Sequence, residues 1–383
     1  MEPDISKDFL EQLRADIEEG RLHNRMEEIN QLHPADIAET LQNLPLEMTR
    51  LVFSVLADEK SAEALVELDE ELRSKLLEEY TGKEIARDLV EYLDSDDAAD
   101  VINELPLAKR REVLNNIDDP EQARGLSNLL IYPENTAGAL MATELIKVNK
   151  NLKVMQCVRE MRQQAEKVDQ VHSIYVVDDA NKLLGTLSLK KLLTTPTQTP
   201  ISEVYTDIVH SVEATEDAED IARAMEKYDL VVMPVIDSRG HLLGRITIDD
   251  VVDVIRDEAR EDYAYASGLT GDVETHDRMR TIVRARLPWL LIGLLGGIAA
   301  AWVIGQFETD LEAIPKLAFF IPLIAAMGGN VGVQSSAIIV QGLASKTNMG
   351  TLSTRLFKEL GVGVINGLIL GMVLVGASIL LGY

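Results

Sequence analysis

Three different rhythms of apolar residues divide the chain. Up to about residue 130, apolar positions recur three and four apart, as in Phe9, Leu10, Leu13 and Ile17, or Ile37, Leu41 and Leu44. That spacing predicts amphipathic helices only. A repeat recurs about 61 residues apart: Asp36-Ile-Ala-Glu-Thr-Leu-Gln-Asn-Leu-Pro-Leu and Asp97-Ala-Ala-Asp-Val-Ile-Asn-Glu-Leu-Pro-Leu. In each copy the Asp is expected to cap a helix that stops before Leu-Pro. Repeated helical units of this kind point to a small superhelical array over 1–132. Between the copies, residues 67–80 carry many acids and a narrow apolar stripe.

From about 137 the rhythm becomes strands alternating with helices. Ser173-Ile-Tyr-Val-Val-Asp reads as a strand, Asp178-Asp-Ala-Asn as a turn, Leu183-Leu-Gly-Thr-Leu-Ser as a second strand, and a helix starts at Leu189. The order returns as Val231-Val-Met-Pro-Val-Ile-Asp, a Ser238-Arg-Gly turn, Leu242-Leu-Gly-Arg-Ile-Thr and a helix from Asp249. These two copies, over 137–200 and 201–258, resemble a tandem pair of CBS modules. The resemblance implies an α/β regulatory unit with an adenine-nucleotide cleft between the repeats. Its candidate nucleotide residues are Ser188 in the first copy and Gly244, Thr247 and Asp250 in the second. Lys191 stands where a ribose-binding acid would be in the first.

Residues 249–286 read as one long connecting helix. Its first half is acidic, and spacings of three and four put Asp250, Asp253, Asp257 and Glu261 on one face. Like charges so placed repel and call for compensation, either by solvent or by a divalent cation. Carboxylate oxygens suit Mg2+, which needs one or two of them and keeps several waters. The second half is basic, with Arg278, Arg280, Arg284 and Arg286 before the first apolar run. By the positive-inside rule that flank, and residues 1–286 with it, is cytoplasmic.

Three long apolar runs follow, at 287–305, 317–344 and 360–383, each near the roughly 20 residues a membrane helix needs. Gly293 and Gly297 in the first, and Gly363, Gly367 and Gly371 in the third, mark helix-packing seams. The second holds Pro322, Gly328, Gly329, Asn330, Gly332, Gln334, Ser335 and Ser336. Polar groups at that depth face a bundle interior or a water-filled path, so amide and backbone oxygens here can line an ion route. The alternative is a seam of small residues and amides between helices.

The net charge of −27 over 383 residues excludes a nucleic-acid partner and favours cations. No signal peptide is expected at the start. One cysteine, Cys157, allows no internal disulfide and fits a reducing cytosol. The histidines His23, His33, His172, His210, His241 and His276 show no ligand spacing, and no phosphate loop or nucleophile motif occurs. An enzyme is not expected.

A helical acidic domain, a CBS pair, an acidic-then-basic linker and then Pro322, Gly328, Gly329, Asn330, Gly332 and Gln334 in one apolar span resemble the MgtE magnesium channel and transporter family over the whole chain. The resemblance implies a homodimer in the inner membrane with its Mg2+ path at the dimer interface. It also implies a connecting plug helix over 250–279 and closure of the pore by cytosolic Mg2+ bound between acidic faces. Matched by motif, the metal-binding candidates are Asp250, Asp253, Glu258, Glu261 and Asp262 on or near the plug. Glu219, Glu226 and Asp229 follow in the second CBS module, and Asp96, Asp97 and Asp100 in the helical domain. Family members have five membrane helices, the last supplying an acid to the pore; this chain has three runs and is expected to end before the last two. A membrane-anchored Mg2+ or nucleotide sensor without a working pore is the other reading.

Overall fold

The computed structural model describes residues 7–165, 168, 170–207, 210–270, 273, 279–344 and 352–381. Arg278 of the basic flank and Lys346 after the second apolar run lie outside them. The chain divides into two compact units, Met1–Val254 and Ile255–Tyr383.

The first unit begins with helices: α1 (Lys7–Glu18), α2 (Met26–Asn30), α3 (Pro34–Gln42), α4 (Leu46–Phe53), α5 (Asp58–Val66), α6 (Glu70–Leu77), α7 (Gly82–Glu84), α8 (Ser95–Glu104), α9 (Leu107–Asn116) and α10 (Pro120–Leu129). The sequence repeat is real at the level of structure, because α3–α4–α5 recurs as α8–α9–α10 with the same order and near-equal lengths. Ile37, Leu41, Val52 and Leu65 of the first triplet and Ile102, Val113 and Leu126 of the second are buried in one core. The expected caps are corrected. Asp36 and Asp97 lie within the first turns, and the capping positions are His33 and Asp94. Pro34, whose ring fixes a helical φ, starts α3 two residues before Asp36.

Two small sheets follow. The first has the order β1 (Ile146–Asn149), β2 (Ile174–Val177), β3 (Leu183–Leu187), β4 (Thr206–Asp207); the second has β5 (Val212–Glu213), β6 (Val232–Ile236), β7 (Leu242–Thr247). In each sheet a parallel pair, β1 with β2 or β5 with β6, precedes an antiparallel hairpin. Helices α11 (Val154–Gln164), α12 (Leu189–Thr194), α13 (Ala218–Lys227) and α14 (Ile248–Ala266) complete the two copies. The copies exchange edges. β4, which leads into the second copy, pairs with β3 of the first, while Ala142, which leads into the first, bridges Arg245 on β7 of the second. This exchange explains the repeated glycine. A Cβ at Gly185 would stand 2.2 Å from the Thr206 carbonyl oxygen, and one at Gly244 would stand 2.6 Å from that of Ala142.

The single helix expected over 249–286 is broken. α14 ends at Ala266, and Gly268 follows in the left-handed region at φ +76°. The Gly268 N–H donates to Tyr265 O and the Leu269 N–H to Ala264 O, a Schellman closure of the helix. Glycine adopts that φ without a Cβ penalty, so the break is written in the sequence. The Thr270 N–H and hydroxyl then both donate to Ala285 O, at 3.1 and 3.0 Å, folding the segment back on the next helix. That helix is α15 (Met279–Gly305), followed by α16 (Glu308–Ala313), α17 (Ile321–Ala344) and α18 (Leu352–Leu381). Among the described residues, three stretches are long and apolar enough to cross a membrane: Met279–Gly305, Ala318–Gly342 and Ser353–Leu380.

Candidate metal centre

The first turns of α8 and α14 bring acids from distant parts of the chain together. α14 follows β7 directly, and Thr247 at that junction donates from its N–H and hydroxyl to Asp250 Oδ2, at 3.0 and 2.7 Å. These bonds fix the Asp250 carboxylate at the start of the helix. From α8, Asp96, Asp97 and Asp100 all feel its charge. Burial, then Asp97 and Asp250, raise the Asp96 carboxyl well above its ordinary value. Burial, then Asp250 and Asp94, raise Asp97 to about 7. Asp100 is exposed as a residue, yet loss of solvation around its carboxyl, with Glu104, Asp250 and Glu134, raises it to about 6 against the opposing pull of Arg73. Asp250 is itself raised, by burial first.

Such a face is unstable as it stands. Ionised carboxylates that have lost water and face each other favour protonation or a cation. Their oxygens are the ligands a hard divalent ion takes, and a small, strongly hydrated one can bridge them through its waters. Among the described residues, no three acidic, histidine or cysteine side chains are already drawn into a cage.

A second set of bonds crosses between the same two regions. The Ser95 N–H and hydroxyl donate to Glu144 Oε2, at 3.1 and 2.8 Å. Thr143 donates from its N–H and hydroxyl to Ser95 Oγ, at 2.7 and 2.9 Å. Arg245 donates through Nε to the Glu144 carbonyl oxygen at 2.7 Å and through Nη2 to Asp94 Oδ2 at 3.3 Å. Ser95 and Arg245 are buried, with 5% and 7% exposure.

The remaining acidic candidates stand apart from this face. Glu219 pairs with Arg223 one turn along α13. Glu226 and Asp229 are exposed, Asp229 at φ +51°. Farther along α14, Asp253 and Glu261 are exposed, Glu258 and Asp262 are half-buried, and Glu261 accepts a bond from the Tyr265 hydroxyl at 3.0 Å.

In the membrane-type helices the polar motif lies within one continuous helix. α17 runs unbroken through Gly328, Gly329, Asn330, Gly332 and Gln334, with Pro322 tolerated in its first turn. Its carbonyl oxygens accept along the helix, each with one lone pair left over. The side-chain amides remain, and Asn330 and Gln334 lie one turn apart on one face. α18 begins at Leu352, ahead of the apolar run expected from 360, so Glu359 lies inside the helix. The Ser335 hydroxyl on α17 donates to Glu359 Oε2 at 2.7 Å.

Models of known families match along most of the chain: "MgtE intracellular N domain" at 32–135, "CBS domain" at 137–196 and 201–257, and "Divalent cation transporter" at 321–383. The magnesium transporter MgtE of Thermus thermophilus is 33% identical over 376 residues, covering 95% of this chain and 82% of that protein. This chain belongs to the MgtE family. The MgtE of Enterococcus faecalis is 35% identical over 256 residues, 66% of this chain and 56% of that protein. Among solved structures, the cytosolic domain of the Mg2+ channel MgtE in complex with ATP matches with a TM-score of 0.59 at 31% identity, covering 64% of this chain and 99% of that one. The soluble part of a magnesium transporter matches with a TM-score of 0.58 at 28% identity, covering 66% and 99%.

Within this MgtE fold the nucleotide candidates also serve structure. Ser188 accepts the Lys191 N–H as the cap of α12, Thr247 holds Asp250, and Gly244 admits the Ala142 backbone. Lys191 is anchored to the Val204 carbonyl and the Thr206 hydroxyl, each at 3.1 Å. Sequence reasoning missed Ser95, Thr143, Glu144 and Arg245, which no motif marks. It also missed Gly268, whose place after the periodic run was a usable stop signal.

Proposed function

We propose that this chain moves Mg2+ across the membrane and is gated by cytosolic Mg2+ bound between acidic surfaces. The observation that carries the reading is the meeting of Asp96, Asp97 and Asp100 with Asp250 at one desolvated face, in a chain of the MgtE family. Without a cation these carboxylates repel and favour separation of the helical domain from the CBS pair. Mg2+ binds the docked arrangement preferentially, and several weak sites then add up to a steep population shift. Glu258, Glu261 and Asp262 add further carboxylates to α14 beyond Asp250. Their movement reaches α15 through the Gly268 turn and the Thr270–Ala285 bonds, not through a continuous rod.

In the membrane the side-chain amides of Asn330 and Gln334 offer oxygens to the waters of a hydrated cation, which avoids stripping them. Glu359 of α18 adds negative charge beside Ser335 of α17. A homodimer fits the apolar residues left exposed on one side of α14, Ile248, Val252 and Ile255. The ATP-bound relative extends the reading to an adenine nucleotide at the CBS pair, where Asp250 at a helix start would face the ribose. The surrounding acids make a Mg2+-complexed nucleotide the acceptable form.

The deciding experiment is Mg2+ flux into liposomes holding the purified chain. Uptake that falls as the Mg2+ bathing the acidic domains rises supports a gated path. Mg2+-dependent protease protection with no flux would leave a sensor without a pore.

A further inference from the structure

We infer that Glu144 and Asp94 are positioning residues of a switch between docked and undocked arrangements, with Asp94 exchanging partners between the two. Asp94 occupies the N-cap of α8 but makes no capping bond with its side chain. In its place Glu144, from the CBS region, accepts the Ser95 N–H and hydroxyl at the start of that helix. The Asp94 carboxylate instead accepts from Arg245, which β7 presents directly before Asp250 and α14. α8 is thus capped from another domain, and its own capping acid is spent on holding that domain.

Asp is among the best N-cap residues, so the exchange has a definite alternative. When the helical domain leaves the CBS pair, α8 loses Glu144, and Asp94, released from Arg245, is placed to cap its own first turn. Each state then satisfies one exposed N–H at the start of α8, that of Ser95 when Glu144 is in place and that of Asp96 or Asp97 when Asp94 caps, which narrows the free-energy gap between the arrangements. Closeness of that kind is what lets a few weakly bound cations decide between them. The same bonds set the register of the metal face. Ser95 is followed at once by Asp96 and Asp97, and Arg245 lies five residues before Asp250, so the latch aligns the two groups of acids.

This inference rests on Mg2+-driven docking, and its test separates the two ideas. The full chain in detergent is titrated with Mg2+ and scored by trypsin protection, with thermal stability measured alongside. Hydrogen exchange of the peptide holding Ser95 to Asp97 is followed at saturating Mg2+. Glu144→Ala is expected to raise the Mg2+ midpoint about tenfold, the effect of losing a charge-assisted bond or two, with maximal protection and melting temperature unchanged. Glu144→Gln, whose carbonyl still accepts from Ser95, should recover most of the shift. Asp94→Asn keeps a good capping residue but loses the charge facing Arg245, and should raise the midpoint severalfold. Faster exchange at Ser95 in Glu144→Ala supports the latch even if the parent chain ignores Mg2+, an outcome that sinks the Mg2+-docking reading alone. An unchanged midpoint and unchanged exchange in Glu144→Ala overturn the inference.

Discussion

Asp97→Asn removes one negative charge from the face between α8 and α14, and the structure fixes the size of the effect. Burial, Asp250 and Asp94 lift the Asp97 carboxyl from 3.8 to about 7. At ~1.4 kcal/mol per pH unit, keeping it ionised in the docked state costs about 4 kcal/mol. Residual solvent at this half-buried residue trims that to about 2–4 kcal/mol. The neutral amide escapes the cost, so its docking equilibrium without metal should rise at least about 30-fold. The sign with pH follows from the same shift. The docked state binds the proton more tightly than the separated one, so docking strengthens as pH falls from about 7 towards 3.8 and the penalty is complete above 7. Limited trypsin digestion of the full chain in detergent, with Mg2+ titrated at several pH values, reads both. Asp97→Asn should be protected at slightly alkaline pH with little or no Mg2+, and the parent chain should gain metal-free protection on mild acidification. If the variant needs as much Mg2+ as the parent, and acid changes neither, carboxylate repulsion is not what holds the domains apart.

Replacing Asp250, Asp253, Glu258 and Glu261 together by their amides should leave a digestion pattern that no longer responds to Mg2+; a preserved response would place the sensing acids elsewhere. Gly185→Ala and Gly244→Ala each drive a Cβ into the exchanged backbone of the other CBS copy. Each should cost about 2 kcal/mol and lower the melting temperature by about 4–8 °C, read by circular dichroism. Glu359→Gln removes the carboxylate that Ser335 contacts within the membrane-type helices. Mg2+ flux in liposomes should fall about tenfold or more, since an intramembrane acid is retained at a cost that function must justify. Flux equal to the parent's would assign Glu359 to helix packing.

How much of this was legible depended on the range of the interaction. The α3–α5 and α8–α10 repeat could be read because apolar spacing and Leu-Pro stops are local, although its caps, His33 and Asp94, lie three residues before the aspartates that the repeat suggests. The two CBS copies could be read because β-branched strands and tight turns mark themselves. The glycines of those copies were noticed as a pattern, but their cause was out of reach, since the atoms that exclude a Cβ belong to Thr206 and Ala142 in the opposite copy. The end of α14 was missed for a different reason. Charge runs on past Ala266 and by itself predicts a longer helix, whereas Gly268 ends it. Asp96, Asp97 and Asp100 were chosen as candidates, but what distinguishes them from other acids is desolvation opposite Asp250, about 150 residues away. Ser95, Thr143 and Glu144 carry no local signature at all.

The placement of the acids at helix starts explains how one set of residues can tolerate both states. A carboxylate in the first turn of a helix is stabilised by the unpaired N–H groups and the positive end of the dipole. Asp96 and Asp97 on α8, and Asp249 and Asp250 on α14, each have that advantage when their own domain stands alone. Solvent and the helix end keep them charged at little cost. The larger cost appears when the two helix starts meet, because burial then removes the water and Asp250 raises the acids of α8. Like-charge neighbours one turn apart, Asp97 with Asp100 and Asp250 with Asp253, add a smaller share that each domain carries alone. The loss of water and the charge of Asp250 facing α8 belong to the docking step. A divalent cation bound there would cancel the docking share, and so act on docking more than on the folding of either domain.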